Sequence, residues 1–217
     1  MHFLSDLITY GPFFFKAMQI TVLLTAASIT IGMAIGLFVA LLKISKRKLL
    51  NRLADLYIGL IRGTPLIVQL FFVYFGLAEI VDFGQFWSAS IALAVHSGAY
   101  IAEIFRAGIQ SIDRGQMEAA RSLGMSYPLA MRRIILPQAF KRVIPPLGNQ
   151  FIIGLKDSSL AAFIAMDELF HLAQRFAAST FRSMEFYAMG GLYYLFLITI
   201  FTLAVNALER RLKVDEI

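Results

Sequence analysis

The chain has no cysteine among its 217 residues, which excludes a disulfide framework, a thiolate metal site and a cysteine nucleophile. Histidine is nearly as scarce, with three scattered residues and no His-Glu-x-x-His pair, so no zinc-hydrolase signature is present. There is no Gly-x-x-x-x-Gly-Lys-Ser/Thr sequence either, hence no phosphate-cradling loop of that kind. Charge is thin: 16% of residues are charged against 59% hydrophobic, and the mean hydropathy is +0.71. That leaves too little polar surface to face water on every side. Residues 1–15 carry one acid, Asp6, and no lysine or arginine. A cleavable signal begins with positive charge, so this stretch reads as a short interfacial segment lying flat on a membrane through Phe13, Phe14 and Phe15.

What is present is a series of apolar runs long enough to cross a bilayer. The first covers residues 17–42, with Gly32 and Gly36 spaced for helix-to-helix packing. Lys43, Lys46, Arg47, Lys48 and Arg52 follow as a dense basic loop, expected in the cytoplasm. Arg62 is costly inside lipid, so it is expected at the interface, with Thr64 and Pro65 opening a second span over 65–81. Glu79 and Asp82 then mark an outer interval and Trp87 an interface. The third span, 87–106, holds His96 and Glu103. His96 reads as a substrate contact or as a packing histidine, and Glu103 as a salt bridge to the basic loop. Residues 107–142 form a second cytoplasmic loop, since 106–142 carries seven lysines or arginines against two acids.

The fourth run, 143–165, is the least lipid-like. Pro145 and Pro146 remove consecutive donors, Gly148 and Gly154 loosen the helix, and Asn149, Gln150, Lys156, Asp157, Ser158 and Ser159 are polar. A broken polar span is tolerated where it lines a cavity. A zwitterionic ligand needs an acceptor for its ammonium and donors for its carboxylate: Asp157 fits the first, Ser158 and Ser159 the second. Asp157 and Lys156 read equally as struts between helices. Residues 166–185 form an amphipathic outer segment, expected to hold an interfacial helix. The fifth span covers 187–208, and Glu209, Arg210, Arg211 and Lys213 form a basic tail. The net charge of +6 is confined to intervals between spans and points to membrane sidedness, not to nucleic acid. The fold class is thus an all-α integral membrane protein, one domain over 1–217, with five transmembrane helices, N-terminus outside and C-terminus inside.

One polar stretch carries a specific spacing: Glu118-Ala119-Ala120, three residues, Gly124, nine residues, Ile134, one residue, Leu136-Pro137. Ala120 and Gly124, four apart, are expected on one helix face as a smooth strip, with Pro128 ending the helix. The pattern resembles the cytoplasmic signature loop of the membrane subunits of ABC importers. The resemblance implies a type I ABC importer permease-like fold. Its coupling helix would span 115–127 and dock on a separate ABC ATPase through Glu118, Ala119, Ala120, Gly124, Leu136 and Pro137. ATP and Mg would be bound by that partner and no cofactor by this chain. It further implies an external solute-binding protein and a second permease subunit, identical or paralogous.

Arg62-Gly63-Thr64-Pro65-Leu66 is similar to the polar amino acid branch of these importers. Leu147-Gly148-Asn149-Gln150 with Lys156-Asp157-Ser158-Ser159-Leu160 is most similar to glutamine-type permeases. Candidate substrate contacts are Asp157, Ser158, Ser159, Asn149, His96 and Gln69, with Gln69 reading also as a helix-to-helix hydrogen bond. The alternative is an ion- or proton-coupled amino acid transporter using Asp157, His96 and Glu103 as relays. A membrane hydrolase resting on Ser158 and His96 is more remote.

Overall fold

The computed structural model describes the backbone of residues 2–212 and the side chains of 5–212; Lys213 of the basic tail lies outside the described residues. Among the described residues the secondary structure is entirely helical. Three helices are long and apolar enough to cross a membrane, and a fourth crossing exists if one sharply bent pair is counted as a span.

The first of these, α1 (His2–Lys43), is one helix of 42 residues passing through Pro12, about 63 Å long at 1.5 Å per residue. The expected flat segment over 1–15 is therefore absent: from His2 onward the stretch continues the first span. Tertiary contacts explain why it stays upright. Asp6, almost fully buried, receives hydrogen bonds from Arg182 at 3.2 and 2.5 Å. Tyr10 and Phe14 stack into a cluster with Phe176, Phe186 and Tyr193. Phe14 is thus taken up inside the protein, while Phe13 and Phe15 stay exposed on the helix surface.

Helix α4 (Gly84–Gln110) packs along α1. The glycine pair makes this possible: a Cβ on Gly36 would stand 2.6 Å from Ile101 Cγ2 and 3.0 Å from the Ala102 nitrogen, and one on Gly32 would collide with Ser97. The small-residue spacing is thus a close helix crossing, as the sequence suggested.

Between them lie α2 (Lys48–Arg62) and α3 (Leu66–Phe71, continued by a π-helical turn Phe72–Gly76), bent by 102° at the break. A second span over 65–81 does not form. Residues 66–76 make only about 16 Å of helix, and they meet α2 at that bend as a broken span or a re-entrant loop. Tyr57 of α2 donates to the Val95 carbonyl, 2.6 Å away, at the middle of α4. Arg62, at the end of α2, is exposed and sits over the Tyr100 ring at 5.2 Å. Gly63, Thr64 and Pro65 cause the break, because proline pushes the residue before it out of helical geometry.

After α5 (Arg114–Ser122), the chain runs through α6 (Tyr127–Ala130), a π-helical turn (Met131–Ile135) and α7 (Leu136–Asp157). The expected break at the paired prolines does not occur. Helix α7 starts at Leu136, carries Pro145 and Pro146 inside it, and changes to a 3-10 helix only at Ser158–Ile164. The helix continues through both prolines although each lacks an N–H and its ring crowds the carbonyl four residues back. Helix α8 (Leu169–Thr180) occupies the predicted outer segment, but it packs on α9 (Ser183–Leu212) and buries Ala173 and Ala177.

Candidate functional site

Two polar regions stand out, one against α4 and one in the basic loop. The first is built on the α2–α3 break. Gln69 Nε2 donates to the Ile61 carbonyl (2.8 Å), the Thr64 carbonyl (3.2 Å) and Thr64 Oγ1 (2.9 Å). Its Oε1 accepts from His96 Nδ1 at 3.1 Å, which places the ring proton on Nδ1. The His96 ring lies 5.2 Å from that of Tyr100, which in turn carries the Arg62 guanidinium. Gln69 and His96 are thus brought together, and each uses its polar atoms to staple the break to α4. His96, Tyr100 and Glu103 recur at i, i+4 and i+7 on one face of α4, all partly exposed. Glu103 does not pair with the basic loop. Arg106 on the same helix donates to its Oε2 at 3.0 and 2.6 Å, while Lys43 of the loop margin pairs with Asp55.

Asp157 ends α7 half-buried, at the junction with the 3-10 turn. Ser158 is fully buried and donates to the Leu155 carbonyl at 2.8 Å; Ser159 donates to the Lys156 carbonyl at 2.7 Å. Each serine has a single O–H, so neither can donate to a ligand carboxylate while these bonds hold, and Ser158 is out of ligand reach. Asn149 is exposed. With Arg142, Pro146 and Lys156 it forms an open stripe along α7 at spacings of four, three and seven.

One buried group was missed by sequence reasoning. Glu168 is the N-cap of α8 and has no solvent exposure. Its Oε1 accepts from the His171 backbone N–H at 2.7 Å and its Oε2 from the Tyr194 hydroxyl at 2.7 Å. Thr21 Oγ1 accepts from the Leu169 N–H beside it at 3.1 Å. Burial pushes the Glu168 carboxyl up to about 7, against the pull of hydrogen bonds from Phe170, Tyr194 and His171. The available signal was an acid directly before an apolar helical run, a capping position; its partners are remote in sequence and gave none.

The second region is α5. Its N-cap Asp113 accepts from the Gly115 N–H at 2.8 Å. It ends at Ser122, earlier than the expected 127, and not at Pro128, which instead opens α6. Gly124 has φ +84° and lies outside the helix. Met125 N–H bonds to the Ala120 carbonyl at 3.1 Å and Gly124 N–H to the Arg121 carbonyl at 3.0 Å, the two bonds of a Schellman stop with glycine at C′. The smooth strip of Ala120 and Gly124 is therefore not formed: Ala120 is buried against its own chain, while Glu118, Ala119, Leu123 and Gly124 are exposed. The glycine is required for its backbone sign, since a Cβ there meets nothing within 4 Å. Leu136 and Pro137 lie exposed in the first turn of α7. Below α5, Ile112, Ile135 and Ala139 form a small core with Met117 and Met131 packed on it, so the helix sits on a firm base.

A family model described as binding-protein-dependent transport system inner membrane component matches residues 32–214. The chain is 39% identical over 207 residues to the arginine transport system permease protein ArtQ of Bacillus subtilis (strain 168), covering 94% of each. It is 35% identical over 206 residues to the glutamine transport system permease protein GlnP of Escherichia coli (strain K12), again covering 94% of each. The crystal structure of an amino acid ABC transporter with histidines superimposes with a TM-score of 0.91 at 43% identity, over 96% of this chain and 98% of that one. An inward-facing MetNI methionine ABC transporter structure, at 18% identity, shares the fold with a TM-score of 0.78 over 92% of this chain and 95% of that one.

Proposed function

Because the chain belongs to the family of binding-protein-dependent transport system inner membrane components, we propose that it forms the translocation path of an ABC importer for a polar amino acid. It is not an enzyme; ATP hydrolysis falls to a separate subunit, which binds the ATP and Mg. The observation that carries this is the α5 platform: an exposed helix set on its own small core, Schellman-stopped at Gly124, in a loop with the importer spacing, in a chain 39% identical to ArtQ. Helix-in-groove docking of such a platform transmits closure of the ATPases to the membrane. Two global states, biased by ATP and by the loaded binding protein, then suffice for alternating access.

The path is multi-pass, with five crossings: α1, the bent pair α2–α3, α4, α7 with its 3-10 turn, and α9. The N-terminus is outside, the tail inside, and the location the bacterial inner membrane. Helix α7 is too polar to face lipid, so its open stripe of Arg142, Pro146, Asn149 and Lys156 faces the path or a second permease subunit. An external solute-binding protein delivers the ligand from the α8 side. Among the substrate candidates we retain Asp157, Asn149 and the exposed edge of the His96 stripe, with Gln69 as a positioning group. Glutamine and arginine are the first amino acids to test, from the relatives named GlnP and ArtQ.

The test is reconstitution in liposomes with the ATPase and binding protein encoded beside it. Uptake should need enclosed ATP and ignore an imposed proton gradient. Accumulation driven by the gradient without ATP would return the case to a proton-coupled carrier with Asp157, His96 and Glu103 as relays.

A further inference from the structure

We propose that Arg62 is the carboxylate anchor of the amino acid in transit, with Tyr100 as the platform that orients its guanidinium. The proposal deepens the importer reading and rests on it.

The argument starts from where the charge sits. Tyr100 lies sixteen residues beyond Gly84 and ten before Gln110 in α4, about 24 Å and 15 Å from the two helix ends. A side chain stacked on its ring lies beside an apolar helix, where a cation facing lipid costs at least about 2.5 kcal/mol unless it meets a partner or water. Arg62 is exposed and makes no ion pair among the described residues. Its electrostatic neighbour Glu103 is already held by Arg106 through two hydrogen bonds.

The usual structural task for an arginine at a helix C-terminus is to satisfy the last carbonyls. Here other groups have taken them. The Gly59 carbonyl accepts from Gly63 N–H at 2.9 Å, that of Leu60 from Thr64 Oγ1 at 2.8 Å and that of Ile61 from Gln69 Nε2 at 2.8 Å. Among the described residues the guanidinium therefore makes no hydrogen bond, and it rests on the Tyr100 ring. Gln69 and His96 hold the break from which it projects, so the base of the side chain is fixed as well.

A planar cation with free edge donors, pinned on an aromatic face, matches a carboxylate bidentately. The α-carboxylate is the one anionic group shared by every amino acid, so this anchor selects the class and leaves the side chain to other residues. Asp157 stands at a different depth. Gly108 packs against Val143; Asp157 is fourteen residues past Val143 and Tyr100 eight before Gly108, which at 1.5 Å per residue sets them about 9 Å apart along the path. That separation suits a cationic side chain such as that of arginine, not the α-ammonium, which shares a carbon with the carboxylate.

The experiment is equilibrium dialysis of the assembled permease–ATPase complex against radiolabelled L-arginine and L-glutamine, each compared with its decarboxylated amine. The wild-type complex should prefer the amino acids roughly tenfold to a hundredfold. Arg62→Gln should abolish that preference, Arg62→Lys should restore part of it, and Tyr100→Ala should weaken it while Tyr100→Phe retains it. A wild-type complex indifferent to the carboxylate, or an Arg62→Gln complex that still discriminates, overturns the assignment. So does an Arg62→Gln chain that no longer assembles with the ATPase, which would make Arg62 a structural strut. None of these results bears on ATP-dependent uptake in liposomes, whose absence would instead overturn the importer reading.

Discussion

Glu168 is a carboxyl group with no solvent exposure whose two oxygens accept from different parts of the chain, the first turn of α8 and Tyr194 of α9. Its folded value of about 7 lies above the ordinary 4.5, so the fold favours the protonated form. The stabilising contribution is complete below pH 4.5 and is lost as pH rises to about 7, on the order of 3 kcal/mol across that window. Glu168→Gln removes the titration and keeps an acceptor. Melting curves in detergent should show wild type gaining on Glu168→Gln as pH falls from 8 to 5; curves that stay parallel refute the burial argument. Gly124 makes a different demand. Its φ of +84° costs an ordinary L-residue about 1 kcal/mol or more and asparagine less. Gly124→Val should cut ATP-driven uptake several-fold and Gly124→Asn should spare it, measured as substrate moved per ATP hydrolysed. Equal coupling ratios in the two variants would show that the backbone sign there is irrelevant.

At the scale of elements, the governing contact is α1 on α4. Gly36 meets Ile101 and the backbone of Ala102 at distances no methyl can occupy. Gly36→Val should lower stability by about 1–3 kcal/mol through overpacking, read as a drop in melting temperature of the detergent-purified chain. Gly191→Ala, where a Cβ meets nothing within 4 Å, is the matched control and should change it little. The break between α2 and α3 was visible in sequence as Gly63-Thr64-Pro65; its consequence was not. Hydropathy alone makes Pro65 the start of a new span. In the structure the two helices instead meet at a 102° bend, with Tyr57 of α2 donating to the Val95 carbonyl of α4. Likewise Pro145 and Pro146 signal a broken helix, yet α7 absorbs them. A residue's effect on its own helix depends on whether neighbouring helices hold that helix in line.

Across the whole molecule, the cations are segregated: Lys43, Lys46, Arg47, Lys48 and Arg52 in one loop, Arg114, Arg121, Arg132 and Arg133 in the next. Sidedness follows from the positive-inside rule and is simple to check, because the chain has no native cysteine. Single variants Leu123→Cys and Phe181→Cys, both at exposed positions, should react with a membrane-impermeant maleimide from opposite faces: Phe181→Cys in intact cells, Leu123→Cys only in inverted vesicles. Labelling of Leu123→Cys in intact cells would invert the topology and remove α5 from the ATPase.

Periodicity, hydropathy and the spacing from Glu118 to Pro137 were enough to determine that this chain is helical and belongs with the importer membrane subunits, because hydropathy and turn chemistry are properties of neighbours in sequence. That Gly124 ends a helix instead of lining it follows from bonds to its own neighbours; the tertiary structure alone decided that Arg62 lies against Tyr100 and that Glu168 is sealed beneath Tyr194. These depend on groups 26 to 176 residues apart, as in the Glu168–Tyr194 and Asp6–Arg182 bonds. A polar atom's partner is set by which helices pack together, and no local pattern contains that.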